Sequence, residues 1–180
     1  MKECKKQNAL AAVGTAVGVG LIAGFAGTVV MTLCQRAEMK KTGRKPSVIP
    51  SKAVTEILNI KPVTEDKSRE VSTKIHWVYG TSLGLIRGAM SLFGLKGYVA
   101  STLHFLIIWG GKSLMLPVLK VTEPVTKEKP RVILTDVFFH LIYVFTTGWV
   151  FDCITCKGSK RKERKAGEDK FAKFRRTKEN

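Results

Sequence analysis

Two ionisable residues, Asp136 and His140, lie four positions apart in the almost wholly apolar stretch 135–148. In a helix this spacing places both side chains on one face, one turn apart. An ionisable pair is costly in a segment that is otherwise suited to lipid, so the pair marks a candidate functional site. Side chains of these types can hold or transfer a proton, and they can also bind a metal ion.

The other histidines of the chain also fall in apolar segments, and so do two basic residues. Together they give a candidate polar site of six residues: His76, Arg87, His104, Lys112, Asp136 and His140. If the three histidines reach one depth, His76, His104 and His140 predict a transition-metal site for Zn, Fe or Cu. If they stay staggered, they form a ladder for protons or ions. A third alternative is that they only hydrogen-bond neighbouring helices.

The depth of Asp136 predicts its partner. With a rise of about 1.5 Å per residue, Asp136 lies about 6 Å and Lys112 about 10 Å from the same end of the apolar segments. We therefore expect the Asp136 carboxylate to face the interior and to pair with Lys112 rather than to face lipid.

Four apolar blocks must position these residues: 9–34, 75–95, 98–119 and 132–156. Each approaches or exceeds the roughly 20 residues that a helix needs to cross a hydrocarbon core. The first block is longer than the core of a secretory signal, so we expect it to be retained. The prediction is an all-α integral membrane bundle of four transmembrane helices in one domain, residues 1–156.

Small residues recur at every fourth position in the first two blocks. Gly20 and Gly24 belong to one stripe, and Gly80, Gly84 and Gly88 belong to the other. Such stripes let membrane helices approach closely. We expect these glycines to mediate helix packing, either with each other or across a homo-oligomer.

The polar segments between the blocks have their own expected structures. In the loop 35–74, three prolines break the chain, and Ser51 is placed to cap a short amphipathic helix. That helix lies on the membrane surface or packs on the bundle. The tail 157–180 contains eleven Lys/Arg and four Asp/Glu, which predicts a disordered segment or a surface helix.

The net charge of +17 indicates an anionic partner. The basic residues flank apolar blocks, which favours anionic membrane lipids over nucleic acid. Basic residues are nearly equal on the two sides, so the positive-inside rule does not separate them. We expect both termini to be cytoplasmic, because the dense basic tail directly follows the last block. No serine–histidine–acid set can be assigned and the Cys153/Cys156 pair has no second pair, so we do not expect an enzyme.

One pattern in the second half of the chain is familiar. His76-Trp77 opens the second block, His104 lies in the third, Pro117 and Pro124 flank its exit, and Asp136 with His140 opens the fourth. Over residues 75–148 this order resembles the YagU-like family of bacterial inner-membrane proteins. The resemblance implies a multi-pass protein of the cytoplasmic membrane, with these histidines and the aspartate at matching positions.

The expected function is that of a small bacterial membrane protein with a polar, His- and Asp-lined interior that moves protons or ions. The alternatives are a metal-binding membrane protein or enzyme that uses the same histidines, and a lipid-organising scaffold that needs only the glycine stripes and the basic tail.

Overall fold

The structure, a computed structural model, describes residues 2–45, 48–58 and 64–178. Within these ranges it has no strand and five long helices: α1 (Lys2–Thr42), α2 (Ile49–Leu58), α3 (Glu65–Leu92), α4 (Gly97–Val118) and α5 (Pro130–Lys178). A single 3-10 turn, Val125–Lys127, lies between α4 and α5. Inside α4, residues Leu106–Gly110 form a π-helical segment. The predicted all-α fold is confirmed.

Three of the helical segments in the described residues are long and apolar enough to cross a membrane: Ala9–Thr42, Gly97–Val118 and Pro130–Cys156. The predicted block 75–95 falls in α3, which is not among them. The polar residues His76 and Arg87 and several small residues lower its mean hydropathy. Length and composition therefore support a membrane protein with three spans. They do not identify α3 as a fourth span, so any argument for a fourth crossing has to come from the packing of α3.

The molecule exposes apolar side chains where a soluble bundle would bury them. Leu10 of α1, Leu114 of α4 and Trp149 of α5 are 65%, 74% and 70% exposed. Several charged and polar groups are inside instead, including Arg87 and His104, both fully buried. An apolar exterior around a polar interior is the arrangement that a lipid environment favours.

The two glycine stripes meet each other between α1 and α3. A Cβ atom at Gly20 would lie 2.8 Å from the carbonyl oxygen of Gly84, and one at Gly80 would lie 2.5 Å from Thr28 Oγ1. Gly88 approaches the backbone of Ala16 in the same way. Both distances are shorter than normal carbon contacts, so only glycine permits this separation of the two helices.

A tight turn joins α3 to α4 and makes them an antiparallel hairpin. Gly94 and Gly97 adopt positive φ angles of +78° and +58°, which residues with a side chain rarely do. The turn brings the end of α3 and the start of α4 to the same end of the bundle as residue 152 of α5.

The predicted short helix is present as α2, but its start differs from the prediction. α2 begins at Ile49, so Ser51 is its third residue and not its cap. The Ser51 backbone N–H donates to Ser72 Oγ of α3 at 3.0 Å, and both serines are buried. α2 is therefore packed on α3.

The last helix is longer than its apolar block. α5 continues beyond Cys156 through the basic tail as far as Lys178. Of the two structures expected for the tail, residues 157–178 have the helix, and residues 179 and 180 lie outside the described ranges.

Candidate functional site

A vestibule of about 680 Å³ opens between α1, α3, α4 and α5 on the side of the long loop. Its mouth is formed by residues that follow the apolar part of α1 and precede that of α5, including Arg36, Glu38 and Arg131. Its floor lies at Leu83 and Tyr143, about halfway along the helices. The vestibule therefore leads from the polar loops into the apolar layer of the bundle.

The Asp136 carboxylate, in the vestibule wall, accepts two side-chain hydrogen bonds. Its Oδ2 atom accepts a hydrogen bond from Lys112 Nζ at 2.5 Å and a second from Trp109 Nε1 at 3.0 Å. Both donors come from α4, where Trp109 lies in the π-helical segment and Lys112 follows it. The Phe105 ring stacks on Trp109 with centroids 5.8 Å apart, which fixes the indole towards the carboxylate.

One histidine lies beside this carboxylate, and a second lines the same vestibule. His140 Nδ1 is 3.6 Å from Asp136 Oδ1 and donates a 2.7 Å hydrogen bond to the Asp136 backbone carbonyl. His76 Nε2 is 3.2 Å from the Thr32 hydroxyl of α1. Because a carbonyl oxygen only accepts, the His140 proton is on Nδ1 and Nε2 carries the free lone pair.

Polar groups continue below the floor of the vestibule. The Tyr143 hydroxyl donates to the Gly80 carbonyl at 2.6 Å, and the His104 ring lies with its centroid 6.0 Å from the Tyr143 ring. His104 Nε2 donates to the Leu83 carbonyl at 3.1 Å. Among the described residues, no hydrogen-bond partner is within reach of His104 Nδ1, although this atom is buried.

A second ion pair closes the opposite end of the bundle. Arg87 Nη2 donates to Asp152 Oδ1 at 2.5 Å, and Arg87 Nη1 donates to the Leu95 carbonyl at 3.3 Å. The guanidinium also lies 5.0 Å from the centroid of the Phe151 ring. Asp152 Oδ2 accepts from the Gly97 backbone N–H at 3.3 Å, so the pair fastens the turn between α3 and α4 to α5.

One face of α5 connects these groups. Asp136, His140, Tyr143 and Thr147 recur at intervals of four, three and four residues, which places them on one side of the helix. From Asp136 to Asp152 the helix rises about 24 Å, most of the thickness of a hydrocarbon core. We call the polar seam the set formed by these four side chains together with His104, Arg87 and Asp152. Asp152 lies on another side of α5 and joins the set through its ion pair with Arg87.

The structure divides the six predicted site residues among three levels. His76, Lys112, Asp136 and His140 meet in the vestibule, and Lys112 is the partner that depth had suggested for Asp136. His104 lies deeper, below the floor. Arg87 lies at the far end with a residue that the sequence did not assign to the site.

The predicted three-histidine metal site is not assembled. In the parts of the chain that the structure describes, no three His, Cys, Asp or Glu side chains come together as metal ligands. His104 is separated from the other two histidines because its ring turns towards the Leu83 carbonyl of α3.

Sequence reasoning missed Asp152 as the partner of Arg87. A signal was present, because Asp136 and Asp152 are the only carboxylates in the four apolar blocks, and Lys112 already suits the first of them. An arginine in a span requires a partner, which leaves Asp152. The contacts of Trp109 and Thr32 had no comparable signal, since they depend on how the helices are rotated.

Comparison with known protein families, curated proteins and solved structures gives no match to this chain. The resemblance to the YagU-like family therefore stays a prediction.

Proposed function

We propose that this chain is a four-span membrane protein that transfers protons along the polar seam. The observation that carries the proposal is that polar groups continue past the floor of the vestibule. His104 and Thr147 are fully buried there, and the Arg87–Asp152 pair lies beyond them. Burying polar side chains in an apolar layer is costly, so their alignment favours a path over packing alone.

The packing of α3 supports a fourth crossing. Between residues 75 and 92, its exposed side chains are all aliphatic or aromatic: Val78, Tyr79, Leu85, Ala89 and Leu92. Its charged residue, Arg87, is fully buried and paired. A helix that faces lipid with apolar residues and the bundle with its charge can cross a membrane at a modest mean hydropathy.

The charges of the seam favour a proton over a hydrated ion. Lys112, beside the seam, pairs with Asp136, and Arg87 pairs with Asp152, so each fixed charge of the seam is neutralised. At the vestibule floor the helices pack closely, with Tyr143 and Val144 in an apolar core cluster. A hydrated ion requires a continuous aqueous channel, whereas a proton requires only groups that accept and release it.

The two deeper histidines have the protonation pattern that a relay requires. The hydrogen bonds from His140 Nδ1 and His104 Nε2 to carbonyl oxygens leave the opposite ring nitrogen of each with a lone pair. An imidazole can accept a proton at that nitrogen and release one from the other. The unpartnered Nδ1 of His104 is also a site where a bridging water would be stabilised.

The experiment is proton uptake by proteoliposomes that contain a pH-sensitive dye and are driven by a potassium diffusion potential. We expect wild-type protein to conduct protons and Asp136→Asn to slow uptake at least tenfold, since it removes the titratable group at the entrance. Glu70→Gln is the matched control, because Glu70 is exposed and far from the seam. Uptake no faster than in empty liposomes, or an unchanged rate in Asp136→Asn, would contradict the proposal.

The remaining expectations belong to the same proposal. We place the protein in the bacterial cytoplasmic membrane with both termini cytoplasmic, and we retain the relation to the YagU-like family as part of it. The scaffold alternative is weakened by one observation: the glycine stripes are used between α1 and α3 of one chain.

A further inference from the structure

We infer that the mouth of the vestibule binds a phosphate group, supplied in the membrane by an anionic lipid. The site is distinct from the polar seam, because it uses residues at the mouth and involves neither His104 nor the Arg87–Asp152 pair. It depends on the membrane setting of the bundle but not on proton transfer.

The mouth has an excess of positive charge. Three arginines, Arg36, Arg44 and Arg131, line it together with one carboxylate, Glu38. Arg44 Nε and Nη2 both donate to Glu38 Oε2, at 3.0 and 2.8 Å. No ion pair within the described residues involves Arg36 or Arg131, and both side chains are exposed. Glu38 also attracts Arg131 electrostatically. The three arginines therefore share one carboxylate, and the mouth keeps its excess of positive charge.

Guanidinium groups of this kind suit a phosphate. A guanidinium presents several N–H donors in one plane and forms paired hydrogen bonds with phosphate oxygens. Arg36 belongs to α1 and Arg131 to α5, so the two approach the opening from different helices. An anion between them would be held from two sides.

The position of the mouth favours a lipid over a free anion. Arg36 lies two residues beyond the apolar block of α1, and Arg131 lies one residue before that of α5. Both are therefore at the level where a membrane has its headgroups. Below them the vestibule wall contains Trp77 and Val132, whose side chains keep accessible apolar surface that hydrocarbon can contact. A cationic mouth above an apolar wall matches an anionic lipid.

The test compares full-length protein carrying Arg36→Gln and Arg131→Gln with wild type. The control carries Lys41→Gln and Lys129→Gln, which make the same charge change at exposed residues outside the vestibule. Native mass spectrometry would measure retention of phosphatidylglycerol and of phosphatidylcholine, and calorimetry would measure binding of inorganic phosphate. Thermal unfolding of each variant checks that the exposed substitutions leave the fold intact.

We expect the arginine variant to bind phosphatidylglycerol about thirtyfold more weakly, since each guanidinium–phosphate hydrogen bond lost from the site contributes roughly fivefold. The control should bind like wild type, and phosphatidylcholine should bind weakly to all three proteins. Binding of inorganic phosphate that depends on the same arginines, without lipid retention, would support the phosphate site but assign it to a free anion. Equal binding by the arginine variant and the control, or no preference for the anionic lipid, would overturn the inference.

Discussion

Removing the carboxylate of the buried Arg87–Asp152 pair should destabilise the bundle more than removing the cation. Asp152→Asn leaves a positive charge on Arg87, whose side chain is 0% exposed. Arg87→Met instead leaves a carboxylate that is 33% exposed and still accepts from the Gly97 N–H. The two substitutions break the same ion pair, but only one leaves a charge away from water.

The magnitudes follow from this difference in burial. Breaking a buried pair by removing one partner costs about 3–5 kcal/mol. Because Asp152 is partly exposed, we take the lower end, about 3 kcal/mol, for Asp152→Asn. For Arg87→Met we expect about 1–2 kcal/mol, from the lost contacts with Leu95 and Phe151. The double variant should resemble Arg87→Met, which corresponds to a coupling of about 3 kcal/mol, the full cost of Asp152→Asn alone.

The assay is thermal unfolding in detergent of the wild type, both single variants and the double variant. At this chain length 1 kcal/mol shifts Tm by about 2–4 °C, so Asp152→Asn should lower Tm by about 6–12 °C. Glu70→Gln is the control for loss of an exposed pair with Lys74. The hydrogen bond from Lys74 lowers the pKa of Glu70, which keeps this carboxyl group ionised, so Glu70→Gln also removes one negative charge. Strictly additive effects, or a larger loss for Arg87→Met, would refute the reasoning.

Three further predictions concern other parts of the chain. Gly84→Ala should lower the free energy of unfolding by about 2–3 kcal/mol, because the added Cβ atom would meet the Gly24 backbone. Gly18→Ala is the control: a Cβ atom there has nothing within 4 Å, so this variant should be neutral or slightly more stable in the same unfolding assay. Asp136→Asn should cost about 1–2 kcal/mol, and adding Lys112→Met should recover part of it; additive losses would argue against the pair. A peptide of residues 157–180 should bind anionic vesicles with an affinity that falls steeply as salt rises, and salt-independent binding would contradict the electrostatic explanation.

Features that depend on composition and spacing could be predicted from the sequence. The four apolar blocks indicated a helical membrane protein, and the four-residue spacing of Asp136 and His140 put them on one face. Matching depths were enough to suggest Lys112 as the partner of Asp136. The glycine stripes indicated a close helix contact, because only small residues permit one.

Features that depend on how the helices are rotated could not be predicted. The glycine pattern did not say whether the partner of α3 was α1 or a second subunit. His104 could have faced the other histidines, but its ring turns to the Leu83 carbonyl instead. The π-helical segment of α4, which contains Trp109, has no sequence signal beyond the Gly110-Gly111 pair that follows the indole. Each of these is decided by contacts between helices, which local patterns do not contain.

The account depends most on the claim that α3 crosses the membrane. The direct measurement is chemical labelling of single cysteines in a chain whose own cysteines are replaced by serine. One variant carries Lys67→Cys, before the apolar part of α3, and the other carries Lys96→Cys, in the turn after it. Both positions are exposed. With an impermeant maleimide on intact bacterial cells, we expect labelling at position 67 and protection at position 96 until the membrane is permeabilised. Labelling of both positions, or protection of both, would put the two ends of α3 on one side and contradict the four-span account.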